Sequence, residues 1–179
     1  MRTKLLNKEY LTCRAIRSPG YYTSIKKQGG IRMHKERFKI GPYVVIILRK
    51  GKKILLIRRY QTGFDDGFYA CPGGGVDGNE PITNAVIREV HEELGIKIKK
   101  ENLKMAHVLH SRHADRGECI GFFIQATAWD GEPRNMEPHK CDNIGWFAVD
   151  ALPENTVLHL IHVLKKIKQG IFYSEFGWE

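Results

Sequence analysis

Glu89, Glu92 and Glu93 crowd one turn of a single expected helix, and no other feature of the chain constrains its folding as strongly. At about 100° per residue the three side chains fall within roughly one third of the helix circumference. Like charges three and four residues apart repel and cost a helix stability. Arg88 can pair with one or two of the three, not with all. The same segment carries an apolar stripe, Thr83, Val86, Ile87, Val90 and Leu94. The helix must therefore dock on a sheet with its glutamate face turned towards a cleft. The economical way to reconcile three carboxylates on a docked helix is a hard divalent cation. Magnesium takes oxygen ligands and is held by a few carboxylates together with substrate phosphates. A solvated acidic face is the competing reading.

The flanking residues suit such a helix. Pro72-Gly73-Gly74-Gly75 lets the backbone turn sharply and expose its N–H and C=O groups to a ligand. Asn79 can cap the helix, Glu80 suits its positive end, and Pro81 is tolerated in its first turn. Gly95 is placed to end it. Arg88 is expected to brace a carboxylate. Gly73-x-Gly75-x-x-Gly78 also fits a dinucleotide fingerprint, but the acid expected about 20 residues on would lie inside the helix. A Walker A pattern is absent.

Gly74, Glu80, Arg88, Glu89, Val90, Glu92, Glu93, Gly95 and Ile96 match every fixed position of the Nudix box, nine positions over 23 residues. The chain thus resembles the Nudix hydrolases over roughly residues 38–169. That family cleaves nucleoside diphosphates linked to another moiety. The resemblance implies an α/β fold, an α/β/α sandwich on a mixed β-sheet. It implies Mg²⁺ as cofactor, with Mn²⁺ as a substitute, held by Glu89, Glu92, Glu93 and the Gly73 carbonyl, with Glu80 and Arg88 organising them. Two further stretches are similar to the MutT-type branch. Leu55-Leu56-Ile57-Arg58-Arg59 puts paired arginines at a strand end, where Arg59 would contact a substrate phosphate unless it is a solvated strand end. Trp129 to Glu137 is similar to a stretch bearing an extra glutamate, so Glu137 would be a further ligand, the water-activating base, or a plain loop residue. Gly73 and Gly74 would lie against the substrate. Asn155 reads as a helix N-cap or as a contact to a base edge. One position departs from the branch: Cys71 stands where an aromatic residue often precedes the glycine turn, which leaves base recognition open.

The implied reaction is hydrolysis of a nucleoside triphosphate to the monophosphate and pyrophosphate. Water attacks in line, the cation neutralises developing charge and lowers the water's pKa, and a carboxylate accepts the proton. ADP-ribose, a dinucleoside polyphosphate, a nucleotide sugar, a 5′-triphosphate RNA end, or a non-enzymatic nucleotide sensor are the alternatives.

The formal charge of +9 is unevenly spread. Residues 1–32 hold eight basic side chains and one acid, leaving 21 basic and 19 acidic residues in 33–179. A broad surface for nucleic acid is therefore not supported, and the expected partner is a small nucleotide. Residues 1–36 form a basic extension broken by Pro19-Gly20 and Gly29-Gly30, with no apolar signal-peptide core. It reads as an arm or as an upstream start preceding Met33, and residues 37–179 as the hydrolase domain. Cys13, Cys71, Cys119 and Cys141 make no metal or disulfide pattern, which suggests reduced thiols and a cytoplasmic location. No apolar run is long enough to span a membrane. His107, His110 and His113 alternate faces on a strand, which argues against zinc.

Strands are expected at Gly41–Arg49, Lys53–Arg59, Leu103–Arg112, Cys119–Trp129 and Ile144–Val149, with a last helix at Thr156–Gln169. Phe172, Tyr173, Phe176 and Trp178 are too apolar for a free tail. They should pack on the domain or on a second subunit, giving a monomer or a homodimer.

Overall fold

The computed structural model describes residues 38–114 and 117–178. The expected basic extension, with Cys13 and Met33, lies outside the described residues. Strand β1 (Gly41–Lys50) is apolar on both faces and sorts its side chains by the two-residue period of a strand. Val44, Ile46 and Leu48 enter one layer with Leu55 and Ile57 of β2 (Lys53–Arg59). Val45 and Ile47 enter the other with Ile54 and Leu56. Helix α1 (Ile82–Leu94) closes the first layer with Ala85, Val86, Val90 and Leu94. Helix α2 (Leu158–Lys168) closes the second with Leu160, Val163 and Leu164. The result is the expected α/β/α sandwich.

The remaining strands are β3 (Tyr69–Ala70), β4 (Gly73–Gly75), β5 (Leu103–His113), β6 (Gly117–Ala126), β7 (Cys141–Ala148) and β8 (Tyr173–Phe176). The sheet is mixed, in the order β3-β2-β1-β6-β5-β8, with β4 paired to β1 and β7 to β2. Strand β1 forks. It runs parallel to β6, meets β2 at Arg49 and Lys50, and gives Tyr43–Val45 to β4 instead. Both branches of this fork contribute walls to one cleft.

Several boundaries differ from expectation. Pro81 occupies the capping position of α1 without a side-chain cap, and Asn79 sits at φ 70°, so Asn79 does not cap the helix. Helix α2 begins at Leu158 behind Val157 rather than at Thr156. Strand β6 stops at Ala126, freeing residues 127–140 as a loop that leans on α1. In that loop Arg134 N–H donates to Leu94 O and Met136 N–H to Glu93 O, each at 3.0 Å, which satisfies carbonyls at the helix end.

The aromatic tail forms β8, parallel to β5, with Val108 opposite Tyr173 and Ser111 opposite Phe176. A hydrogen-bonded chain fastens it. His107 is fully buried, with Nδ1 2.9 Å from Ile171 O and Nε2 2.8 Å from Ser174 Oγ. His162 Nε2 lies 2.9 Å from the same hydroxyl. A carbonyl can only accept, so His107 donates from Nδ1, Ser174 donates to His107, and His162 donates to Ser174. His113 shares the His107 face and meets the His159 ring at 5.9 Å, whereas His110 packs against Trp178.

Candidate functional site

Each glycine of the turn before α1 meets a different charged residue of that helix. Gly73 N–H donates to Glu93 Oε2 at 2.9 Å. A Cβ on Gly74 would stand 2.5 Å from Glu89 Oε1. Gly75 O accepts Arg88 Nη2 at 3.0 Å. Gly73 also has φ 148°, and a Cβ there would run into the Val44 carbonyl of β1. Only glycine can occupy Gly73 with the strand this close, whereas a side chain at Gly74 would push the Glu89 carboxylate aside.

Arg88 organises the acids around it. It bonds Glu80 Oε1 and Glu89 Oε1 at 2.7 Å, reaches Glu92 Oε2 at 3.4 Å, and lies 3.7 Å from Asp77. Hydrogen bonding to Glu80 and Glu89 raises its already high pKa, so the guanidinium is permanently charged. In return Arg88 holds the Glu80 carboxyl below its usual range, helped by Asp77 N–H at 2.8 Å. Glu80 does not line the cleft. It steadies Arg88.

Glu89, Glu92, Glu93 and Glu137 all line the cleft. Their environments differ. Glu92 is exposed, while Glu89 is buried and its pKa is raised by that burial despite Arg88. Burial pushes Glu93 up to about 8, against the opposing Gly73 N–H, with Glu89 and Glu137 adding repulsion. Glu137 is held by Lys140 Nζ at 2.8 Å, and its N–H by Asn135 Oδ1 at 3.0 Å. As they stand, no three His, Cys, Asp or Glu side chains among the described residues are arranged to hold one ion. Arg88 draws Glu89 and Glu92 to itself. The donor chemistry nevertheless fits a hard divalent cation: carboxylate oxygens, mutual repulsion, and a buried acid whose charge burial disfavours.

The paired arginines separate. Arg58 forms a two-pronged ion pair with Asp142, at 2.7 and 3.0 Å. Arg59 lines the cleft with its Nε on Phe64 O and its guanidinium 3.8 Å from the Phe64 ring centre. Asn155 departs from both expectations. It neither caps α2 nor lines the cleft, because its Nδ2 donates to Gly67 O at 2.6 Å and its backbone pairs with Tyr69. Sequence reasoning missed Lys140, Asn135, Tyr43, His113 and His159, which also line the cleft. Lys140, three residues after Glu137, carried a spacing signal. Asn135 comes from the same loop as Glu137, and the other three come together only through β1, β5 and α2. Cys71 lines the cleft too, but it is buried and its thiol is pushed up to about 12, so it is inert.

The model of the NUDIX domain matches residues 39–167. The chain belongs to the Nudix family. It is 31% identical over 115 residues to the NAD-capped RNA hydrolase NudC of Chromobacterium violaceum, 64% of this chain and 40% of that protein. It is 40% identical over 102 residues to the ADP-ribose pyrophosphatase of Methanocaldococcus jannaschii, 56% of this chain and 59% of that protein. The match thus spans between two fifths and three fifths of these relatives. Among solved structures, a MutT NUDIX hydrolase from Burkholderia pseudomallei superposes with a TM-score of 0.65 at 31% identity, covering 72% of this chain and 98% of that one. Family members of this kind typically use a divalent metal.

Proposed function

We propose that the chain is a Mg²⁺-dependent pyrophosphohydrolase that splits a nucleoside triphosphate into the monophosphate and pyrophosphate. One observation carries this reading: a single cleft of about 800 Å³ is lined by the four carboxylates, by Arg59 and Lys140, and by Tyr43, His113 and His159. A phosphate chain fits the charged part and a nucleoside the aromatic part. Glu89, Glu92, Glu93 and the Gly73 carbonyl, with Glu137 beside them, would hold the cation, which supplies charge neutralisation and acidifies the attacking water. Arg59 neutralises a phosphate oxygen and orients the chain. Arg88 and Glu80 keep Glu89 in place. A carboxylate of the cluster accepts the water's proton.

A second reading, a diphosphate joining two nucleosides or sugars, is favoured by the resemblance to NudC and to the ADP-ribose pyrophosphatase. The engagement of Asn155 by Gly67 also removes one candidate base contact of the MutT type. A magnesium-dependent hydrolysis screen over triphosphates, ADP-ribose, NAD and dinucleoside polyphosphates separates the two, with products resolved and isotope-labelled water marking the attacked phosphorus. Triphosphates should be turned over best, and Arg59→Ala should act mainly through KM. A clear preference for ADP-ribose or NAD would reject the first reading.

A further inference from the structure

The loop between β2 and β3 alternates its backbone hand. Gln61, Gly63, Asp65 and Gly67 have φ of 54°, 86°, 49° and 83°. Two of these are not glycine, a costly conformation that persists only where the surroundings fix it. Asp66 fixes it. Its Oδ1 accepts the Thr62 N–H at 2.9 Å and the Thr62 hydroxyl at 2.6 Å, and its Oδ2 accepts the Gly63 N–H at 3.1 Å. These bonds, the Thr62 hydroxyl first, hold the Asp66 carboxyl below its usual range.

The same bonds reach Arg59. Thr62 has one hydroxyl proton, and the charged acceptor at 2.6 Å outcompetes the Phe64 carbonyl at 2.9 Å. With its proton committed to Asp66, the Thr62 oxygen is turned to accept Arg59 Nη2 at 3.0 Å. Phe64 adds its carbonyl to Arg59 Nε at 3.0 Å and its ring to the guanidinium face. At the far end Gly67 N–H donates to Arg59 O at 2.8 Å, while Asn155 grips Gly67 O.

We propose that Asp66, acting through Thr62, is a positioning residue that presets the Arg59 guanidinium for a substrate phosphate. The proposal rests on the reading of Arg59 as a phosphate contact. An arginine ordered before binding loses less rotamer freedom when the phosphate arrives, so the benefit falls on binding rather than on the chemical step.

The test uses the full chain and the variants Asp66→Ala, Thr62→Val, Thr62→Ser and Arg59→Ala. Without substrate, the NMR signals of the Arg59 Nη2 protons, which face Thr62, should be protected from exchange in the parent and in Thr62→Ser, which keeps the hydroxyl. They should be lost to exchange in Asp66→Ala and in Thr62→Val. With a triphosphate, Asp66→Ala should raise KM about tenfold with kcat within about twofold. Combined with Arg59→Ala it should raise KM no further, because both changes remove one interaction. Protected Nη2 protons in Asp66→Ala, or KM effects that multiply in the double variant, overturn the proposal. If Arg59→Ala has the parental KM, the phosphate reading fails and takes the positioning role of Asp66 with it, whatever the exchange result. A parent that hydrolyses no nucleotide fails the proposed function instead, and the exchange arm still decides whether Asp66 holds Arg59.

Discussion

At the scale of single residues, α1 separates acids that the sequence presents as equals. Glu93 is half-buried with its carboxylate on Gly73 N–H, whereas Glu92 is exposed beside Arg88. Glu93→Gln keeps an oxygen for the Gly73 N–H and removes an acid whose ionisation the fold disfavours. Melting temperature in chelator should therefore rise in Glu93→Gln and stay nearly level in Glu92→Gln. Turnover should fall by ~10²-fold or more in Glu93→Gln, as expected when charge stabilisation of the transition state is lost. Parental turnover in Glu93→Gln, or parent activity that survives excess chelator, would defeat the cation assignment. The glycine turn gives a second test. Gly74→Ala must displace the Glu89 carboxylate, while a Cβ on Gly75 meets nothing within 4 Å. Activity should collapse in the first and persist in the second, and equal losses would show that the turn tolerates no side chain for some other reason. The acidic face of α1 was legible in sequence because helix spacing alone puts the acids on one side. The burial of Glu89 and Glu93 was not, since it depends on how closely β4 passes.

At the scale of elements, the apolar runs of β1 and β2 announced buried strands, and the spacing of Leu160, Leu164 and Ile167 a docked helix. Strand β8 gave no such signal. Four residues after a helix carry too little periodicity, and the partner that orders them, His107, lies 64 residues from Ile171 in the chain. Asn155 was misread for a similar reason: its partner, Gly67, is 88 residues away. The His107 bonds make β8 sensitive to acid. Burial lowers the pKa of His107 from the ordinary 6.5. The unfolded chain therefore takes up this proton first as pH falls. The contribution to stability is complete above about pH 6.5 and declines as pH drops below it. His107→Gln keeps a donor and an acceptor without the titration, so the fall in urea midpoint between about pH 7.5 and 5.5 should be shallower than in the parent. An unchanged fall would assign the acid sensitivity elsewhere.

At the scale of the whole molecule, the family match and both helices lie within residues 39–168, and the excess positive charge lies before residue 33. A chain begun at Met33 should keep both its melting temperature and its turnover, and a large loss of either would show that the basic segment belongs to the working unit. None of the helices among the described residues is long and apolar enough to cross a membrane. The fork in β1 gives the two sides of the cleft separate anchors. The glycine turn and α1 hang on one branch, while Arg59 and its loop hang on the other. Under the proposed function, the grip on a phosphate through Arg59 can therefore change by substitution in one loop, while the glycine turn and the carboxylates of α1 keep a frame anchored on a different pairing.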